Sequence, residues 1–127
     1  MQQKKLRFDA EIFMPRDIHE AVVKCKKRGG GVTAIGQLYL YFAHRGYAAM
    51  MGGARPVFTE RGIQPREDFV RRMVAYGDAL RADMDDLLAR IKDGEFESRP
   101  KHPKTSVSTK CVFITLVELG LAAVGKE

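Results

Sequence analysis

The sequence predicts a mainly α-helical chain with one N-terminal β-strand. Three observations carry that class. Leu6, Phe8, Ala10, Ile12 and Met14 occupy every second position, which places them on one face of an extended strand. After Pro15 the apolar spacing changes to steps of three and four, the period of a helix. No second alternating run follows within hairpin distance, and the remaining apolar stretches are separated by Gly- and Pro-rich segments.

At 127 residues the chain suits a single domain, or one domain with an appendage, and can bury a core without disulfides. Cys25 and Cys111 both lie in apolar patterns and read as two buried thiols in a reducing compartment, in preference to a disulfide. No run of 18 apolar residues is present, so no membrane span is expected. The start, Met-Gln-Gln-Lys-Lys, lacks the apolar stretch of a secretory signal, and the expected location is the cytoplasm.

The elements follow in order. Residues 5–14 form the strand, and Pro15 ends it because it has no N–H for a ladder. Residues 15–28 read as a helix with the stripe Ile18, Ala21, Val22 and Cys25. Asp17 and Glu20 sit at its positive end and Lys24, Lys26, Lys27 and Arg28 at its negative end. Gly29-Gly30-Gly31 stops it. Thr33 is the candidate N-cap of a second helix over 34–45, with Ile35, Leu38, Tyr39 and Phe42 on its apolar face and Gly46 as its end. Residues 46–64 are a Gly- and Pro-broken connector.

A long helix is predicted from Pro65 to Lys92, on the stripe Phe69, Met73, Tyr76, Leu80, Met84 or Leu87, Leu88 and Ile91, stopped by Asp93-Gly94. Gly77 in its middle argues against a stiff isolated rod, so packing on another helix is expected. Residues 94–105 are a polar linker with two prolines. The apolar tail from Ser106 to Val124 shows no clean period of two and reads as a helix capped by Ser106 or Ser108 and buried on most sides, in preference to a strand. The domain plan is thus a module over 1–46, a connector over 47–64 and a helical extension over 65–127.

No catalytic set emerges, and neither an enzyme nor a bound cofactor or metal is expected. His19, His44 and His102 share no ligand spacing with each other or with the cysteines. Asp78, Asp83, Asp85 and Asp86 are interleaved with arginines and read as a solvated helix face. The triple glycine follows a helix and lacks Gly-Lys-Ser/Thr, so it is no phosphate loop. Tyr39, Tyr41, Phe42 and Tyr47 stand at helical spacing, which favours core over a base-stacking platform.

Charge points to a partner. The net charge is +6 with a pI near 9.5. Residues 1–50 hold nine Lys and Arg against four Asp and Glu, whereas residues 51–127 hold thirteen against twelve. A positive field concentrated at one end favours a polyanion.

A lone ten-residue strand leaves its backbone N–H and C=O groups unpaired. Pairing with the same strand of a second copy, antiparallel about a two-fold axis, would satisfy them and let the next two helices cover the ribbon. Met14-Pro15-Arg16-Asp17-Ile18, with Val22, Lys24, Gly30, Val32 and Leu38-Tyr39, resembles the strand-to-helix junction and glycine turn of the ribbon-helix-helix family of Arc-like repressors. The likeness covers residues 5–46. It implies a homodimer or higher oligomer that reads duplex DNA with outward strand residues. By position these are Lys5, Arg7, Asp9 and Glu11, with Phe13 at the end, while Lys4 and the second helix start (Gly31, Thr33) would anchor phosphates.

Asp9 and Glu11 depart from the family's usual Arg, Lys, Asn, Gln or Thr at reading positions, and can only accept hydrogen bonds from bases. The functional expectation is a dimeric DNA-binding protein, a transcriptional repressor or a plasmid or phage accessory that marks a DNA site. In that reading residues 65–127 would form an added oligomerisation or protein-partner region. Two alternatives stay open. One is an adaptor of conjugation or secretion, or an inhibitor, that keeps the dimer fold without reading DNA. The other is a single-chain α+β domain in which 106–114 pairs with 5–14.

Overall fold

The computed structural model describes residues 10–28, 35–102 and 105–125. Of the expected strand, residues 5–9 lie outside the described residues; the described part is β1 (Ala10–Pro15), and its ladder partner lies in the same chain. That partner is β3 (Phe69–Val74), antiparallel to β1, with Ile12 opposite Arg72 and Met14 opposite Val70. For residues 10–15 a second copy is therefore not needed to complete the ladder, and 106–114 is not their partner either. The opposite edge of β1 is also engaged, because the Phe13 N–H donates to the Gly62 carbonyl at 3.0 Å.

Between these strands lie α1 (Arg16–Arg28), α2 (Ile35–Met51) and the two-residue β2 (Phe58–Thr59). After β3 come α3 (Asp78–Lys92), the two-residue β4 (Ser98–Arg99) and α4 (Thr109–Gly125). β2 and β4 pair in parallel. The mainly α class holds, with two small sheets in place of one unpaired strand.

α1 follows β1 at Pro15 as expected and buries Ile18 and Val22 from its predicted stripe. The predicted helix over 65–92 is a strand followed by a helix. Phe69, Met73 and Tyr76 fit a helical period, but Phe-Val-Arg-Arg-Met-Val is also β-branched and aromatic enough to pair, and the open ladder of β1 decides between the two. Gly77, at φ 78°, makes the break and leads into α3, where the remaining stripe of Leu80, Met84, Leu87 and Ile91 is buried as expected.

Gly46 is not a helix end. It lies inside α2, buried where that helix crosses α4. A Cβ on Gly46 would come within 1.9 Å of the Leu116 carbonyl oxygen, and one on Gly120 within 1.9 Å of the Phe42 carbonyl oxygen. The two contacts are reciprocal, each helix offering a glycine to the backbone of the other, and they set how closely the axes approach.

The tail is the predicted buried helix. Residues 111–117 of α4 are buried without interruption, and α4 packs against α1, α2, α3, β1 and β2. Ser108 is its N-cap, accepting from the Cys111 N–H at 3.2 Å. The inner face of the β1–β3 sheet, with Ile12, Met14 and Val74, closes the core. Full burial of Ile12 and Met14 contributes about 1.5–3 kcal/mol each. No helix among the described residues is long and apolar enough to cross a membrane.

Candidate functional site

Of the residues the sequence nominates for DNA contact, only Glu11 is among those described. Lys4, Lys5, Arg7, Asp9, Gly31 and Thr33 lie outside them. Glu11 is on the outer face of the sheet, and one of its carboxylate oxygens takes both Nε and Nη2 of Arg71, at 2.7 and 2.6 Å. Arg71 stands on β3 opposite Phe13. The carboxylate is thus neutralised by the paired strand, the arrangement that lets an acidic residue persist on a ribbon. Met73, opposite Glu11, is 44% exposed. The outer face therefore presents one closed ion pair and a thioether, with no uncompensated cation among the described residues.

A cluster of cations lies elsewhere. Two segments that carry no periodic pattern, the end of the 46–64 connector and the 94–105 linker, are brought side by side by β2 and β4. The Phe58 N–H donates to the Glu97 carbonyl and the Glu60 N–H to the Arg99 carbonyl, both at 3.0 Å, and the Phe58 and Phe96 rings meet edge to face at 6.0 Å. Gly62 turns the chain at φ 92°, where the space for a side chain is taken by the Ile114 Cδ1. The result is a cleft of about 340 Å³ whose walls include Arg61, Arg66, Arg99 and Lys101 together with Phe69 and Pro100.

The charge balance in this cleft is one-sided. Its carboxylate, Glu60, is committed: its two oxygens accept from the Ser108 N–H at 2.7 Å and the Ser108 hydroxyl at 2.6 Å, reinforcing the start of α4. Arg61 is steered by Glu118 at 3.1 Å. Arg99 has only a loose, exposed contact with Glu97 at 3.9 Å. Arg66 and Lys101 make no ion pair among the described residues, and the Arg66 guanidinium stands 5.9 Å over the Phe69 ring. A second cavity, of about 570 Å³, sets Arg81 and Lys110 against Asp85 and carries no comparable excess.

The sequence missed all four cations of the cleft. Arg61, Arg99 and Lys101 fall in stretches read as connector and linker, and Arg66 in the first turn of a helix that is not there. The one available signal was that both stretches combine basic residues with proline and an aromatic neighbour. Of the histidines, His19 is a polar packing group. The Tyr39 hydroxyl and His19 Nδ1 are 2.5 Å apart, and His44 and His102 are exposed. Burial pushes the Tyr39 phenol up to about 12. The phenol therefore keeps its proton, and which of the two groups donates follows the imidazole tautomer. Burial and then the nearby Arg72 charge hold His19 below its ordinary value.

Cys111 is buried, donates to the Thr59 carbonyl at 3.0 Å, and is pushed up to about 11 chiefly by burial; Cys25 is half-buried, and neither cysteine is in a disulfide. No group of three or more His, Cys, Asp or Glu among the described residues is placed to hold a metal ion. No protein-family model, curated protein or solved structure matches the chain.

Proposed function

We propose that this chain is a non-catalytic DNA-binding protein, a regulator or site-marking accessory, that meets DNA through its cationic cleft. The observation that carries the reading is the convergence of Arg61, Arg66, Arg99 and Lys101 on one cleft whose carboxylate is already held by Ser108. Arg66 and Lys101 break no ion pair of the described residues on meeting a phosphate, and the chain's +6 charge adds a long-range pull. The reading moves the contact away from the ribbon, where Glu11 and Arg71 neutralise each other, and it needs no second copy.

Binding of labelled duplex DNA across a salt series tests it. The affinity is expected to fall linearly on a log–log plot. The Arg66→Ala/Lys101→Ala variant is expected to bind at least about tenfold more weakly and with a shallower slope, by about 0.9 for each phosphate that the variant leaves without a cation. The Lys5→Ala/Arg7→Ala variant apportions the remainder to the N-terminal segment. Binding that ignores both salt and the cleft variant overturns the reading. A second reading, a protein-interaction adaptor, is favoured by the exposed Met73 on a sheet face with no excess charge. It predicts no DNA affinity at all.

A further inference from the structure

We propose that the cleft is a subsite for one unpaired nucleotide, at a single-stranded extension of the DNA that the proposed function assigns to this chain. The inference rests on that DNA-binding reading and specifies what the cleft adds to it. A continuous duplex presents its phosphates on a convex surface, and exposed lysines and arginines on a flat face suffice to meet them. This site is instead a recess. Its volume of about 340 Å³ lies at the lower end of the range for small-ligand pockets, enough for one nucleotide rather than a longer segment.

The walls match the two halves of that ligand. Arg61, Arg99 and Lys101 supply charge for the phosphate, with Arg61 held in place by Glu118. Phe69 and Pro100 supply apolar surface for the base, and the Arg66 guanidinium near the Phe69 ring gives a second plane on which a base stacks. Phe69 is fixed as the first residue of β3, opposite Pro15, so its ring is presented by the sheet and not by a loose loop. A base within a paired stack offers no face to such a surface, whereas an unpaired one does.

The chemistry of a phosphate beside a planar base is shared by a free mononucleotide and a nucleotide at the end of a strand, and the experiment separates them. The full chain is titrated against two labelled DNAs of equal length: a duplex closed by hairpins at both ends, and a duplex with a short single-stranded overhang. Adenosine monophosphate serves as the competitor. The overhang probe is expected to bind about tenfold more tightly, the size of one stacked base. In Phe69→Leu, which keeps the apolar volume and removes the ring face, the ratio between the probes is expected to fall to about one. Arg66→Gln, at an exposed position, is expected to lower the same ratio and guards against a folding defect in the first variant. Equal affinity of the unaltered chain for the two DNAs overturns the subsite and leaves DNA binding standing. Competition by adenosine monophosphate without any overhang preference assigns the cleft to free nucleotides and also overturns it. Failure to bind either DNA removes the DNA-binding reading itself, and the subsite with it.

Discussion

The half-buried imidazole of His19 makes the state of a single proton matter to the fold. Tyr39 is fully buried, its hydroxyl keeps its proton, and it shares a hydrogen bond with Nδ1. Protonating His19 would desolvate a charge and place a second cation near Arg72, whose guanidinium is 5.9 Å from the Tyr39 ring centroid. Burial first, and the Arg72 charge second, lower the native pKa from 6.5, and the unfolded chain takes up this proton first as pH falls. The stability due to neutral His19 is complete above about pH 6.5 and is lost as pH drops below it, until the native imidazole is protonated as well. Denaturant unfolding followed from about pH 7.5 down to pH 5.5 is expected to show this loss. His19→Gln, which cannot titrate, should flatten that part of the profile. If the variant keeps the wild-type slope, the dependence arises elsewhere. The sequence showed only that His19 shares no ligand spacing with the other histidines or the cysteines. What it could not show is that Tyr39, from the other helix, would arrive beside it.

At the scale of elements, the crossing of α2 and α4 holds the centre of the molecule. Gly46 reads in the sequence as a helix end, because a glycine in a helix interior costs up to about 1 kcal/mol relative to alanine. The structure gives the compensating term: Gly46 and Gly120 each let the other helix's carbonyl approach to a distance that no Cβ tolerates. Gly46→Ala and Gly120→Ala each gain helix propensity and forfeit the close approach. The second effect wins, because a 1.9 Å overlap with backbone can be relieved only by separating the helices. Each variant is expected to lose about 3 kcal/mol, read as an earlier midpoint in denaturant unfolding. The double variant should lose less than the sum, since one separation relieves both overlaps. Gly36, in the same helix with open space around it, is the control, and Gly36→Ala should leave stability unchanged or raise it. The stripe of α3 and the cap of α4 were readable because both are local, resting on spacings of three and four and on a serine three residues before the N–H it caps. β3 was not, because its residues satisfy two periods at once and the choice was made by a strand more than fifty residues away.

For the whole molecule, the question raised by the sequence was where the hydrogen bonds of the N-terminal strand go. The inward face of that strand, from Ala10 to Met14, was read correctly from its alternation, and the need for a partner followed from it. The identity of the partner did not, and neither did the cleft, whose cations meet only through the pairing of β2 with β4, two residues each. Intrachain pairing has a thermodynamic consequence. Where a ribbon is shared by two copies, folding and association are one event and the melting temperature rises with protein concentration. Here β3 completes the β1 ladder, the Gly62 carbonyl engages the far edge of β1, and α4 fills the core from the same chain. Folding is therefore expected to be unimolecular. The melting temperature should stay constant over about a hundredfold range of concentration, measured by calorimetry at the upper end and by circular dichroism at the lower. A midpoint that climbs steadily with concentration would show that the native state is built from more than one copy, and the open edge of β3, paired in this chain only to β1 among the described residues, is where the added strand would have to lie.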